Sequence, residues 1–166
     1  MTLLMTIPVI LVPYTQEILK AESKIFAMLE ALYSAGAFIG ALFSPLLCKV
    51  FSIRKTLALL LAIMAIGLII LSVNTQTHIV FPVYWMIGFG LSSWVLSTSL
   101  SQFVCDPKYQ GRLQTSFNGI SGCFILGVYL FMASNTNSIS SQSIYFLQGM
   151  ITIIGTLIAL FYKSEK

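Results

Sequence analysis

The sequence predicts an all-α integral membrane protein, a bundle of six spanning helices, and three observations lead there. Hydrophobic residues make up 57% of the 166 positions and charged ones 8%, against about 45–50% and about 25% in soluble domains. Mean hydropathy is +0.92, and no polar stretch exceeds about a dozen residues. A bilayer-spanning helix takes roughly 20 mostly apolar residues, so six of them use about 120 positions and leave only connections and ends. No room remains for a separate soluble enzyme domain, a cofactor fold or a nucleic-acid module. The chain reads as one six-span domain, 1–166, whose function lies within the membrane.

The first span, 1–19, is apolar with Pro8 and Pro13 inside it. Membrane helices tolerate proline where neighbours satisfy the freed carbonyls, so a kinked helix is expected. A cleaved secretory leader competes with this reading, but a leader needs a basic start and a small-residue cleavage site, and no Lys or Arg precedes Lys20. After a polar turn at 16–24, the second span, 26–48, repeats Gly36, Gly40 and Ser44 every four positions. That spacing puts them on one face and lets another backbone approach. The third span, 56–73, has no ionisable or amide side chain, so it can face lipid all round, as a peripheral helix would.

The fourth span, 79–105, opens with Pro82, Tyr84 and Trp85, which suit the headgroup level, and ends on a polar face of Ser93, Ser97, Ser101 and Gln102. The fifth, 113–133, holds Asn118 and a second small-residue ridge, Gly119, Cys123 and Gly127, and is expected to pack closely. An uncharged loop rich in Ser and Asn, 134–143, leads to the sixth span, 144–162. Split into triplets, spans one to three and four to six each end in a comparatively featureless helix. Inverted-repeat transporters have such a 3+3 arrangement, although no residue-level repeat accompanies it.

Basic residues set the orientation, since cytoplasmic loops are enriched in Lys and Arg. With both termini inside, the cytoplasmic segments hold Lys49, Arg54, Lys55, Lys108, Arg112, Lys163 and Lys166, and the outer ones hold Lys20 and Lys24. One local signal disagrees, because Lys20 and Lys24 follow the first span while nothing basic precedes it. The net charge of +4 is spread over short loops as a topology signal, so no nucleic-acid partner is expected; membrane lipid is.

No catalytic constellation is visible. His78 is the sole histidine and lies in an outer loop, Asp106 has no metal-spaced partner, and Gly88 and Gly90 lie inside a span without the strand and helix of a nucleotide fold. Cys48, Cys105 and Cys123 are scattered without ligand spacing and read as small packing residues. Neither an enzyme nor a metal or cofactor is expected.

Glu30 is the one acidic residue within an expected span and clear of the polar turns, since Glu17 falls where the first span runs into the 16–24 turn, and an ionisable group in a membrane helix is by default a functional hypothesis. It sits only about 6 Å into its span at 1.5 Å per residue. Two readings stay open: an interfacial anchor reaching water or Lys24, and a site of proton coupling or substrate charge recognition. Asn118 suits an interhelical hydrogen bond or a substrate contact. Tyr33 and Trp85 suit packing, interface anchoring or stacking on an aromatic or amphipathic solute. The two small-residue ridges are packing surfaces, and closely packed helices that slide also serve a rocking motion.

The run Gly40-Ala-Leu-Phe-Ser44-Pro-Leu-Leu-Cys-Lys49-Val-Phe51-Ser52-Ile-Arg54-Lys55-Thr-Leu57 resembles the short basic loop of major facilitator superfamily transporters. Ser52 stands where that loop usually has Gly, and the acidic member of the full motif is missing, with Lys49 or Cys48 nearby instead. This departure fits a degenerate second-half copy. A second stretch, Thr98-Ser-Leu-Ser-Gln102 running into Asp106-Pro107-Lys-Tyr-Gln-Gly111-Arg112-Leu113, is similar to the loop between the tenth and eleventh helices of drug and siderophore exporters. The opening Ile7-Pro8-Val-Ile-Leu-Val-Pro13-Tyr14, followed by Gly36 and Gly40, is similar to the seventh and eighth helices of that branch, which includes macrolide and enterobactin efflux proteins.

The resemblance covers nearly the whole chain but half of such a transporter, namely helices seven to twelve. It implies proton-coupled secondary active efflux of a small amphipathic solute by alternating access, in a bacterial inner (plasma) membrane. It also implies a partner, either a complementary N-terminal six-helix half or a second copy; a half-size transporter acting as a homodimer and a non-transporting remnant are the alternatives. Arg54, Lys55, Pro107, Gly111 and Arg112 would then be cytoplasmic loop or gating residues.

Overall fold

The computed structural model describes residues 2–20, 23–134 and 140–161. Helix α1, Thr2–Pro13, continues directly into a π-helical stretch, Tyr14–Ile18. Helices α2 (Ser23–Val50), α3 (Ile53–Val73) and α4 (Thr77–Val104) follow. A 3₁₀ turn, Pro107–Tyr109, then opens α5 (Gln110–Ser134), and α6 is Ser141–Phe161. No strand occurs among the described residues. Helices α2, α3, α4 and α6 are long and apolar enough to cross a membrane, so the chain is an all-helical integral membrane protein.

Local chemistry explains the element ends. In α1, Pro13 lacks the N–H that would continue the ladder, and the backbone widens into the π stretch immediately after it. There the Thr15 hydroxyl donates at 2.9 Å to the carbonyls of Leu11 and Val12. Helices α2 and α4 have 28 residues each, about 42 Å at 1.5 Å per residue, against a hydrocarbon core of about 30 Å. Their ends therefore continue into the interfacial layers, which is why α2 starts at Ser23 and keeps Lys49 helical beyond the apolar run. Likewise α5 starts at Gln110, placing Gly111 and Arg112 in its first turn rather than in a loop.

Helix α2 lies along α4, α4 along α3, and α3 along α6; α1 touches both α6 and α5. Glycine sets the closest of these crossings. A Cβ on Gly36 would collide with the Trp85 carbonyl, one on Gly88 with the Tyr33 carbonyl, and one on Gly40 would sit 2.5 Å from the Phe89 carbonyl. Between α3 and α4, a Cβ on Gly90 would lie 2.7 Å from the Leu60 carbonyl. Such contacts allow the backbone approach that drives helix association where apolar surface gives no advantage over lipid.

Two expectations change. Helix α3 is not peripheral within this chain: Leu60, Met64, Leu68 and Leu71 are buried, and it packs on both α4 and α6. Its aliphatic composition cannot tell a lipid-facing surface from a helix-facing one, because both are apolar. The Gly119, Cys123 and Gly127 ridge has no close neighbour among the described residues. Nothing lies within 4 Å of a Cβ built on Gly119 or Gly127, and Cys123 is exposed. A small-residue ridge marks the ability to pack, not the presence of a partner.

Candidate functional site: a tyrosine cluster beside Glu30

The buried core gathers at the end of the bundle that carries the 74–76 turn. Asn74 organises that end. Its side chain closes the turn on itself, with Nδ2 donating to the Gln76 carbonyl at 2.9 Å and Oδ1 accepting from the Gln76 N–H at 3.2 Å. The Asn74 carbonyl then accepts from the Tyr14 hydroxyl at 2.9 Å and from Gln142 Nε2 at 3.2 Å. One backbone carbonyl thus ties α1 and α6 to the connection between α3 and α4.

Below this turn four tyrosines, one from each of four elements, form a ladder across the bundle. Tyr14 meets Tyr145 of α6 edge to face, with ring centroids 5.3 Å apart at 83°. The Tyr145 and Tyr84 hydroxyls are 2.7 Å apart, and the Tyr84 ring of α4 lies 6.2 Å from that of Tyr33 on α2. Tyr145 also donates, at 3.5 Å, to the Ile7 carbonyl. A phenol has one proton to give, so in this arrangement Tyr84 donates to Tyr145, which donates to Ile7. Gln148, one turn along α6, donates to Thr6 Oγ1 at 2.8 Å.

Glu30, half-buried one helical turn before Tyr33, lies within electrostatic reach of the Tyr33, Tyr84 and Tyr145 hydroxyls. Three polar atoms here are buried without a hydrogen-bond partner among the described residues: Glu30 Oε1, the Tyr33 hydroxyl and Gln148 Oε1. Buried polar groups are ordinarily paired because leaving them unpaired costs free energy. All three accept hydrogen bonds, and one also donates. A proton, a water or a donor-bearing ligand would satisfy them, and this is the chemistry the cluster offers.

Of the residues singled out in the sequence, the structure brings together Glu30 and Tyr33. Trp85 follows Tyr84 on α4, but its ring stacks on Phe89, centroids 5.8 Å apart, at the α2 crossing. Asn118 is exposed on α5 and stands apart from the cluster. Gly36, Gly40 and Ser44 are buried along the α4 side of α2. Arg54, Lys55, Pro107, Gly111 and Arg112 are exposed at the opposite end of the bundle. There Asp106 caps the Lys108 N–H at 2.9 Å, and Gln110 Nε2 donates across the turn to the Gln102 carbonyl at 2.9 Å.

The sequence places Tyr84 at the headgroup level, whereas the structure buries it completely. An aromatic near a span end suits either place; the difference is Tyr145, 61 residues away, whose hydroxyl satisfies it. Tyr145 and Gln148 carry no sequence signal of their own. Among the described residues no group of His, Cys, Asp and Glu is arranged to hold a metal ion. Compared with known families, with curated proteins and with solved structures, the chain has no match.

Proposed function

We propose that this chain is one six-helix half of a secondary active exporter of the major facilitator type. It moves a small amphipathic solute by alternating access, coupled to protons, with a second six-helix unit forming the other wall of the path. The observation that supports this reading most is the pairing of the helices. Exchanging α1 with α4, α2 with α5 and α3 with α6 turns the α2–α4 contact into α5–α1 and the α3–α4 contact into α6–α1, and leaves α3–α6 unchanged. These contacts all occur, α1–α5 and α1–α6 being much slighter than the pairs they mirror, while the slight α1–α2 and α2–α3 contacts have no image of that extent among the described residues. A 3+3 inverted repeat has this symmetry, and in transporters built that way solute and coupling ions bind near repeat interfaces.

The two repeats differ in their partners. The α2–α4 crossing is closed by glycines, whereas α5, among the described helices, leans chiefly on α1 and exposes Asn118, Phe117, Ile120 and Phe124. A polar residue such as Asn118 is disfavoured against lipid tails, so a second unit seated on α5 suits it better. In this reading Glu30, with its unpartnered oxygen beside the tyrosine ladder, is the proton-coupling residue.

The test uses inverted vesicles of native membranes energised to an acidic interior, with fluorescent amphipathic dyes as probes. Dye accumulation driven by the proton gradient is expected with the chain, and Glu30→Gln is expected to abolish it. Accumulation that is the same in vesicles lacking the chain would overturn the reading.

A further inference from the structure

Beyond the α2–α4 crossing, toward the basic end, a groove of about 340 Å³ opens between the two helices; Ala41, Ser44 and Cys48 form one wall, and Val95, Leu96 and Phe103 belong to the other. It opens sideways, since Val95 is half-exposed and Phe103 is 85% exposed. Two serines, Ser44 and Ser99, interrupt an otherwise apolar lining. Ser44 is 4% exposed, and its hydroxyl has no hydrogen-bond partner among the described residues.

Depth and charge say what fits. Helix α2 exceeds the hydrocarbon thickness by about 12 Å, so each end stands about 6 Å outside it. Ser44 is six residues before Val50, about 9 Å below the helix end, and therefore close to the boundary where glycerol esters lie. At the mouth Lys49 and Lys55 are exposed, with Arg54 beside them. No Asp or Glu occurs between Glu30 and Asp106, and the Asp106 carboxylate is engaged as the cap of the 3₁₀ turn. An apolar slot, a hydroxyl at ester depth and a basic rim complement an acyl chain, a glycerol ester and a phosphate in that order. Basic pockets between membrane helices bind anionic headgroups in this way.

We propose that the α2–α4 groove is a binding site for an anionic phospholipid. One acyl chain lies between Ala41 and Leu96, an ester carbonyl accepts the Ser44 hydroxyl, and Lys49 and Lys55 hold the headgroup. The site is formed within one chain and is independent of solute transport.

Native mass spectrometry of the detergent-purified chain tests it, by titration with phosphatidylglycerol and with phosphatidylcholine of identical acyl chains. Phosphatidylglycerol adducts are expected at about tenfold lower lipid concentration. Lys49→Gln with Lys55→Gln is expected to remove that preference, and Ser44→Ala to weaken both adducts two- to threefold. Lys20→Gln with Lys24→Gln, at the other end of the bundle, is expected to leave it intact. Equal adducts of the two lipids on the unmodified chain would overturn the proposal without recourse to any variant. So would a preference that survives loss of Lys49 and Lys55, or one that follows Lys20 and Lys24.

Discussion

Gly36 and Gly88 face each other's helices so closely that a methyl group on either would strike the opposing backbone. Gly36→Leu or Gly88→Leu is therefore expected to destabilise the chain by about 1–3 kcal/mol or more, read as a lower midpoint in detergent unfolding. Gly119→Ala meets open space and is expected to be neutral or to stabilise by up to about 1 kcal/mol, through helix propensity alone. The tyrosines divide in the same manner. Tyr84→Phe removes the donor to Tyr145 and is expected to cost about 1 kcal/mol, whereas Tyr33→Phe removes an unpartnered hydroxyl and is expected to cost nothing measurable. At this scale Glu30, Tyr33, Gly36 and Gly40 were legible, since an acid in a span and a four-residue glycine repeat carry meaning by themselves. Gly88 and Tyr145 were not, because a glycine or tyrosine acquires its role from the residue across the interface, and that partner is distant in sequence.

Helices α2, α3, α4 and α6 were legible because length and hydropathy suffice to define a membrane span. Position within the bundle was not. From Leu57 to Leu71 helix α3 has no polar side chain to mark which of its faces meets α4 and which meets lipid, and α5 displays the small residues Gly119 and Gly127 with no close neighbour among the described residues to receive them. The exposed face of α5 yields a direct expectation. A photoreactive residue placed at Phe124, which is 65% exposed, is expected to trap protein in native membranes. A second copy would appear as a doubling of the 18.3 kDa mass, and a complementary half as a different shift. Recovery of lipid adducts alone would show that α5 faces the bilayer and that no second unit covers it.

For the whole molecule, antiparallel succession places the 51–52 and 106–109 connections together at the end that carries Lys49, Arg54, Lys55 and Lys108. The 74–76 turn and the start of α6 share the other end, where Asn74 accepts from both Tyr14 and Gln142. Everything proposed for transport depends on that arrangement persisting across a bilayer, with α5 crossing despite Gln110, Arg112, Gln114 and Asn118 in its first half. Membrane-impermeant maleimide labelling of single cysteines in sealed, oriented vesicles decides it, using a background without the native thiols. Ser52→Cys and Lys108→Cys are expected to react from one face, and Thr75→Cys and Ser140→Cys from the opposite face. Labelling of Ser140→Cys from the same side as Lys108→Cys would mean that α5 does not span the membrane, and the six-helix half would have to be abandoned.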